Sequence, residues 1–214
     1  NRTALREAFA NADAIIHAAA ALPLWKATEI RSVNLDGTRA VLEVAKEVGV
    51  PRVVHISSTA VYGIPDHHPL NEEDALHGVG PYGESKVSAE SLCEKAREAG
   101  LCVPVLRPKT FIGPERLGVF QILFEWIREG RRIPVIGDGQ NRYQLLDVSD
   151  AAQAVRILVE ADSDSANQAF NVGALEFNTV AEDMGTLFEH ASSGSRLMTT
   201  PAWLAKSALA ILGF

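Results

Sequence analysis

Arg52-Val53-Val54-His55-Ile56-Ser57-Ser58-Thr59 decides how this chain is read: a short apolar run that ends in three hydroxyls. Its length and its β-branched content mark a strand buried on both faces of a sheet. Before it, Val33 to Val48 carries apolar residues at helical spacing (Val33, Ala40, Val41, Val44, Val48), with Gly49 as stop signal and Pro51 just beyond. After it, Gly63 to Gly80 is rich in Pro, His, Asp, Glu and Gly and reads as a loop. Tyr82 to Ala99 is then a helix closed by Gly100. That helix opens Pro81-Tyr82-Gly83-Glu84-Ser85-Lys86, which sets Tyr82 and Lys86 one turn apart on one face. A phenol accepts a proton near neutrality only if its pKa falls from about 10. A lysine cation beside it does this. Ser58, at the strand end, is placed to hold a reacting oxygen against that phenol. The trio suits proton transfer coupled to a hydride carried by a cofactor. Taken alone, Tyr82 and Lys86 also read as a solvated helix pair, and Ser58 as a strand-end cap.

The rest of the chain repeats the alternation. Asp13 to Ala20 reads as a buried strand running into a small-residue turn, and Leu101 to Leu106 as a third strand with a proline inside it. Phe120 to Glu129 is a helix closed by Gly130, Ile133 to Ile136 a short strand, and Gly137-Asp138-Gly139 a turn. Gln144 to Val148 reads as a strand, Asp150 to Glu160 as a helix capped by Ser149 or Asp150, and Ala169 to Val172 as the last strand. Strands alternating with helices of this length predict an α/β domain, a doubly wound parallel sheet with helices on both faces. Ligands of such sheets lie beyond the carboxyl ends of the strands. Ala18 to Ala20, Ser58, and Pro108 to Thr110 all fall just past strand ends. No Gly-rich turn of the kind that cradles a pyrophosphate occurs, because Gly137-x-Gly139 opens no helix.

Composition bounds the function. With 214 residues, 47% hydrophobic and 22% charged, the chain has material for one main core and a small appended lobe. A formal charge of −7 without a basic block argues against nucleic acid as a partner. Two cysteines, Cys93 and Cys102, make neither a disulfide framework nor a metal site, so no metal is expected and a reducing, cytoplasmic setting fits. The apolar run from Ala14 to Trp25 is interrupted by His17 and Pro23 and is too short for a bilayer, so no membrane partner is expected. His17 reads as a buried, hydrogen-bonded side chain, and His67-His68 as a loop feature. The chain opens on Asn1 and closes inside an apolar stretch, Trp203 to Phe214, so both ends read as cut.

In this order the motifs resemble the extended short-chain dehydrogenases/reductases, in their NAD-dependent epimerase/dehydratase branch, from about Ala12 to about Gly173. Asp13 to Ala20 is similar to the strand over which that family lays the adenosine half of its cofactor. Val33-Asn34-Leu35-Asp36-Gly37-Thr38 is similar to the following helix start, and Ser57 to Gly63 to the catalytic-serine segment. Tyr82-x-x-x-Lys86 matches the proton-transfer pair, and Leu106 to Pro114 the stretch beside the nicotinamide. Gly137-Asp138-Gly139, Arg142 and Asp147 to Asp150 follow in family order. The resemblance implies a Rossmann-like sheet whose first two strand–helix units, with their Gly-rich turn, would precede Asn1. It assigns residues 1–115 to the remaining NAD(P)-binding domain. Residues 116–214 become a mixed segment: a substrate-binding lobe, and a strand and helix returning to the first domain at about 144–173.

The resemblance also implies roles. Ser58, Tyr82 and Lys86 would be catalytic. Ala18, Ala19, Ala20, Asn34, Ile56 and Pro108, with Tyr82 and Lys86, would line NAD; NADP stays open, because the deciding residues would precede Asn1. Asn34 reads equally as a helix cap. Ser58, Thr110 and Arg142 would meet the substrate, Arg142 offering a planar cationic fork to a diphosphate, or else being a surface arginine. Two departures narrow the chemistry. The family's dehydratases place an acidic pair directly after the catalytic hydroxyl, and its decarboxylases a carboxylate in the same segment. Here Thr59 and Ala60 stand there, and neither serves as a general acid or base. Thr110 stands where many nucleotide-sugar enzymes have an asparagine, and offers one hydroxyl in place of an amide. The expected function is an NAD(P)-dependent epimerase of a nucleoside-diphosphate sugar, working through a transient ketone. The alternatives are a reductase or dehydrogenase of a non-nucleotide alcohol or ketone, steroid-like or flavonoid-like, and a cofactor-binding regulator without turnover. Retention of both Tyr82 and Lys86 argues against the last. The resemblance also implies a homodimer, since the family commonly pairs through two long helices; here these would be Val33 to Val48 and Tyr82 to Ala99, each apolar beyond one stripe.

Overall fold

The computed structural model describes residues 1–114 and 120–201; the apolar stretch Trp203 to Phe214 lies outside the described residues. In chain order the elements are α1 (Arg2–Phe9), β1 (Ile15–His17), α2 (Ala27–Arg31), a π-helical turn (Ser32–Asp36), α3 (Gly37–Val48), β2 (Val53–Ile56), a 3-10 turn (Thr59–Tyr62) and α4 (Gly80–Glu98). There follow β3 (Val105–Pro108), β4 (Phe111–Ile112), α5 (Phe120–Arg128), β5 (Arg132–Ile136), β6 (Leu146–Asp147), α6 (Val148–Glu160), α7 (Ser163–Ala166), β7 (Ala169–Val172), α8 (Val180–Ala191) and β8 (Arg196–Thr200).

The chain divides into two compact units. The first is Asn1–Lys109 with Ser149–Gly173; the second is Thr110–Val148 with Ala174–Phe214, of which 115–119 and 202–214 are outside the described residues. The first unit holds a parallel sheet in the order β1-β2-β3-β7. Successive strand residues point to opposite faces, so the runs Val53-Val54 and Val105-Leu106 feed two cores at once. On one face Ile15, Val53 and Val105 pack with Val41, Leu42 and Ala45 of α3 and Cys93 of α4, with Leu5 and Phe9 of α1 alongside. On the other, Val54 and Leu106 pack with Leu158 and the flanking Ala154, Val155 and Val159 of α6. Each fully buried Val or Leu contributes about 1.5–3 kcal/mol. Helices on both faces of a parallel sheet make the unit doubly wound. Ile16, on the α6 face of the terminal strand β1, stays 54% exposed.

Among the boundaries that differ from the sequence reading, three bear on how the first unit is built. The helix expected from Val33 already begins at Ala27, where the Glu29 carboxylate accepts from the Lys26 N–H at 3.2 Å. It is widened in its middle, where the Gly37 N–H reaches back five residues to the Ser32 carbonyl. The third strand begins at Val105 rather than Leu101: Pro104 has no N–H for the ladder, and the Val103 N–H goes to Asn167 Oδ1 at 2.7 Å. Helix α6 starts at Val148, ahead of both expected caps, Ser149 and Asp150.

The second unit contains two parallel pairs, β4 with β6 and β5 with β8. Its α8 and β8 were not expected from the sequence. The start of α8 is a reciprocal capping box, in which Thr179 Oγ1 accepts from the Glu182 N–H and Glu182 accepts from the Thr179 N–H at 2.9 Å. No helix among the described residues is long and apolar enough to cross a membrane.

Candidate active site

Helix α4 brings the titratable pair together. Lys86 is 3% exposed, and its Nζ donates to the Ile56 carbonyl at 2.9 Å, so the ammonium is pinned to the end of β2. The same Nζ lies 5.9 Å from the centroid of the Tyr82 ring, one turn earlier. Burial pulls the Lys86 pKa down to about 8, against the opposing pull of Glu90. Ser58 stands two residues past β2 and opens the 3-10 turn, its Oγ accepting from the Ala60 N–H at 3.2 Å. The cap leaves its O–H proton to donate.

Two glycines let these pieces meet. A Cβ on Gly78 would lie 2.4 Å from the backbone carbon and oxygen of Gly83, and one on Gly83 would lie 3.1 Å from the Ala60 oxygen. The 3-10 turn, the loop before α4 and the first turn of α4 thus touch backbone to backbone beside Tyr82.

At the end of β1, Ala18 and Ala19 are exposed and Ala20 half-buried. Beneath them, buried Asn34 clamps the chain: its Oδ1 accepts from the Ala21 N–H at 2.7 Å, and its Nδ2 donates to the Ala21 carbonyl at 3.3 Å and to Ser85 Oγ at 3.0 Å. Asn34 sits inside the π-helical turn, so it is not a helix cap. Ile56 is half-buried, and Pro108 closes β3, buried. Ser58, Tyr82, Lys86, Ile56, Asn34, Pro108 and Ala18 to Ala20 therefore all belong to the first unit. Thr110 and Arg142 belong to the second. There Thr110 Oγ1 is 2.9 Å from the Tyr143 hydroxyl, while Arg142 donates to the Phe177 carbonyl at 2.6 Å and stacks 4.5 Å over the Phe177 ring.

Two constellations were missed in the sequence. One is the pairing of His17, buried and hydrogen-bonded as expected, with His55, their ring centroids 5.4 Å apart. Thr38 Oγ1 donates to the Asn34 carbonyl at 2.7 Å, so it accepts from His17 Nε2 at 3.0 Å, and His17 carries its proton on Nε2. The two ring nitrogens of His55 are buried without a hydrogen-bond partner. Burial first, and the Lys86 charge second, lower His17 to about 4 and His55 well below its ordinary value. The other is an ion pair of Arg107 with Glu90, 2.7 Å between Nη2 and Oε2, both side chains buried. Its sequence signal was an arginine inside the apolar strand Val105-Leu106-Arg107-Pro108, and a glutamate one turn past Lys86.

The chain as a whole is similar to known proteins. The chain is 36% identical over 203 residues to an uncharacterized protein, y4nG, of Sinorhizobium fredii, spanning 94% of this chain and 50% of that one. It is 28% identical over 195 residues to a dTDP-glucose 4,6-dehydratase of Streptomyces griseus, spanning 88% of this chain and 59% of the relative. The chain thus spans about half the length of these curated relatives. Among solved structures, a UDP-glucose 4-epimerase of Thermotoga maritima crystallised with UDP-glucose superposes with a TM-score of 0.82 at 25% identity, covering 94% of this chain and 69% of that one. Residues 1–173, which carry the whole β1-β2-β3-β7 sheet, the Ser58 turn and the Tyr82/Lys86 helix, match one family model throughout, and by that match the chain belongs to the NAD dependent epimerase/dehydratase family.

Proposed function

We propose that this chain carries the catalytic residues of an NAD(P)-dependent epimerase of a nucleoside-diphosphate sugar. The observation that supports it most is the Lys86 ammonium pinned to the Ile56 carbonyl beside the Tyr82 ring, at the strand end that Ser58 follows. The residues present fit a dinucleotide: small, open Ala18 and Ala19 follow β1, and the Asn34 clamp holds the backbone just beyond them. Bound NAD would supply the acceptor, and on return the donor, of a hydride. Tyr82, as phenolate, takes the proton from the substrate hydroxyl and later returns it. Lys86, as a cation, stabilises that phenolate, and its grip on Ile56 fixes where the charge sits. Ser58 donates to the reacting oxygen and holds it against Tyr82.

Within the family, Thr59 and Ala60 favour epimerisation over elimination. They occupy the 3-10 turn directly after Ser58 and bring a hydroxyl and a methyl where elimination needs carboxyl groups. A second reading, reduction of a non-nucleotide carbonyl, is favoured by one observation. Arg142 and Thr110 each already engage a partner in their own unit, so neither is held out for a diphosphate.

The test is a panel of UDP-, GDP- and dTDP-sugars incubated with the full-length protein and NAD, read by NMR for the epimeric product. Epimer should form without net cofactor reduction, and Tyr82→Phe should slow it at least about a hundredfold. Arg142→Ala should raise KM for the nucleotide sugar about tenfold, the scale of a lost charge-assisted hydrogen bond. A panel that gives neither product nor thermal stabilisation, alongside stoichiometric cofactor oxidation by a small ketone, hands the assignment to the reductase.

A further inference from the structure

The Glu90–Arg107 pair joins α4 to β3 and takes no part in the chemistry above. It is nonetheless the hub of the buried polar network. Glu90 is 3% exposed and Arg107 4%. A carboxylate this deep is strongly destabilising unless it is fully paired. Arg107 supplies the pairing with Nε, 3.1 Å from each carboxylate oxygen, and Nη2, 2.7 Å from Oε2. The remaining reach of Glu90 goes forward: its Oε1 accepts a short hydrogen bond from Ser57 Oγ. Ser57 is the residue before Ser58, and its own N–H is fixed to the Leu106 carbonyl at 2.7 Å.

Arg107 spends its other nitrogen on two more segments. Nη1 donates to the Tyr62 hydroxyl at 2.8 Å and to the Glu72 carbonyl at 2.9 Å. Tyr62 passes its proton on to Asn171 Oδ1 at 2.8 Å, and the Asn171 N–H donates to Glu72 Oε1 at 2.7 Å. Register explains the convergence, because Arg107 and Asn171 are paired neighbours in β3 and β7 and share the face that α4 covers. One ion pair therefore fixes the end of β2, the 3-10 turn, the loop before α4 and β7 against the helix.

Glu90 also bears on Lys86 directly. Tyr82, Lys86 and Glu90 recur at one-turn spacing along one face of α4. The other groups facing Lys86 are Cys93 on the same helix, His17 from β1 and His55 from β2, with Arg107 of β3 behind Glu90. Both histidines are held neutral by burial, and the Cys93 thiol is pushed up to about 12. Among these neighbours the negative charge comes from Glu90.

We propose that Glu90 is a positioning residue of the active site: clamped by Arg107, it ties the strand end that carries Ser58 to the helix that carries Tyr82 and Lys86, and it sets a fixed negative charge one turn from the Lys86 ammonium. This inference rests on the catalytic roles given above for Ser58, Tyr82 and Lys86. Burial alone drives Lys86 towards the neutral amine, and the phenolate would then lose its counter-charge near neutral pH. Glu90 opposes that loss.

The decisive measurement needs no substrate. The full-length protein, labelled with [ε-13C]lysine, is titrated by NMR, and Lys86 is assigned by its loss in Lys86→Met. Glu90→Gln should lower the Lys86 midpoint by about one unit or more, the scale of a nearby opposite charge removed. Ser57→Ala, which cuts only the tether, should leave the midpoint in place and lower kcat on the nucleotide sugar about tenfold with KM unchanged. Should Glu90→Gln fail to fold with Arg107 left unpaired, the double variant Glu90→Gln/Arg107→Met removes both charges and should still lower the midpoint, by less, because the lost Arg107 cation, farther from Lys86, offsets part of the lost Glu90 charge. An unmoved midpoint in whichever of the two folds overturns the electrostatic role; unchanged kcat in Ser57→Ala overturns the tether. A shifted midpoint with no nucleotide-sugar turnover would refute the substrate assignment and leave the role of Glu90 standing.

Discussion

Gly78 shows how much depends here on side chains that are absent. A methyl at this position would press into the Gly83 carbonyl, backbone against backbone, with no flexible group to yield. Gly78→Ala should therefore cost about 1–3 kcal/mol, the usual scale of overpacking. It should also lower turnover about tenfold or more, because the first turn of α4 carries Tyr82 and small misplacements of reacting groups are expensive. Thermal melting and kcat measured on the same variant check both numbers; a variant with normal melting and normal kcat refutes the close fit. Placements that depend on local spacing were readable from sequence: Tyr82 and Lys86 one turn apart need only a helix, and Ser58 only the end of a strand. Asn34 was not. Its amide is spent on Ala21 and on Ser85, partners 13 and 51 positions away, and no local pattern announces them. Glu90 and Arg107 were hidden for the same reason, since a lone buried charge in a sequence does not name its partner.

At the scale of elements, Arg52 ties one strand to one helix. It stands just before β2, and its guanidinium donates to the Leu158 and Val159 carbonyls near the end of α6, at 2.8 and 2.6 Å, and to Ser163 Oγ at 3.1 Å. A cation there meets unsatisfied carbonyls and the negative end of the helix dipole. Arg52→Met keeps much of the aliphatic stem and loses the donors, so it should cost about 1.5–3 kcal/mol. A lower urea midpoint at unchanged m-value would show that the loss is one of stability alone. Strands and helices with clear periodicity were legible, and errors gathered where a single residue overrides the pattern. Pro104 delays β3, and the π-helical turn lets one helix run from Ala27 to Val48. The start of α8 was legible in principle, as Thr179-x-x-Glu182, but lies beyond the segment that the family motifs cover. The surplus apolar surface read on α3 and α4 is partly used within the chain: Val44 and Ala89 are fully buried, which leaves the proposed homodimer the half-buried Ala40, Val87 and Leu92.

The whole molecule should be acid-sensitive well above the carboxylate range. His17 and His55 are held neutral in the fold, with pKa values below the ordinary 6.5 of the unfolded chain. Above about pH 6.5 both states are neutral and stability is full. As pH falls below that, the unfolded chain gains protons that the fold refuses, and stability declines until pH reaches the folded values, about 4 for His17. Between pH 7 and pH 5 the loss from His17 should be on the order of 2 kcal/mol, and His55 adds to it in the same direction. Urea midpoints at the two pH values check this, and equal midpoints would contradict the burial argument. Chain order has a further consequence, for synthesis on the ribosome. Strand β3 ends at Pro108, while its partner β7 begins only at Ala169, and the intervening residues include much of a second unit. At about 5–20 residues per second, that partner emerges roughly 3–12 seconds later. Helix α6, which covers Val54 and Leu106, is translated in the same interval. For those seconds the nascent sheet presents an apolar face and an open backbone edge to every neighbouring chain, so yield in a crowded cell depends on translation speed and on chaperones that hold β3 until β7 is made.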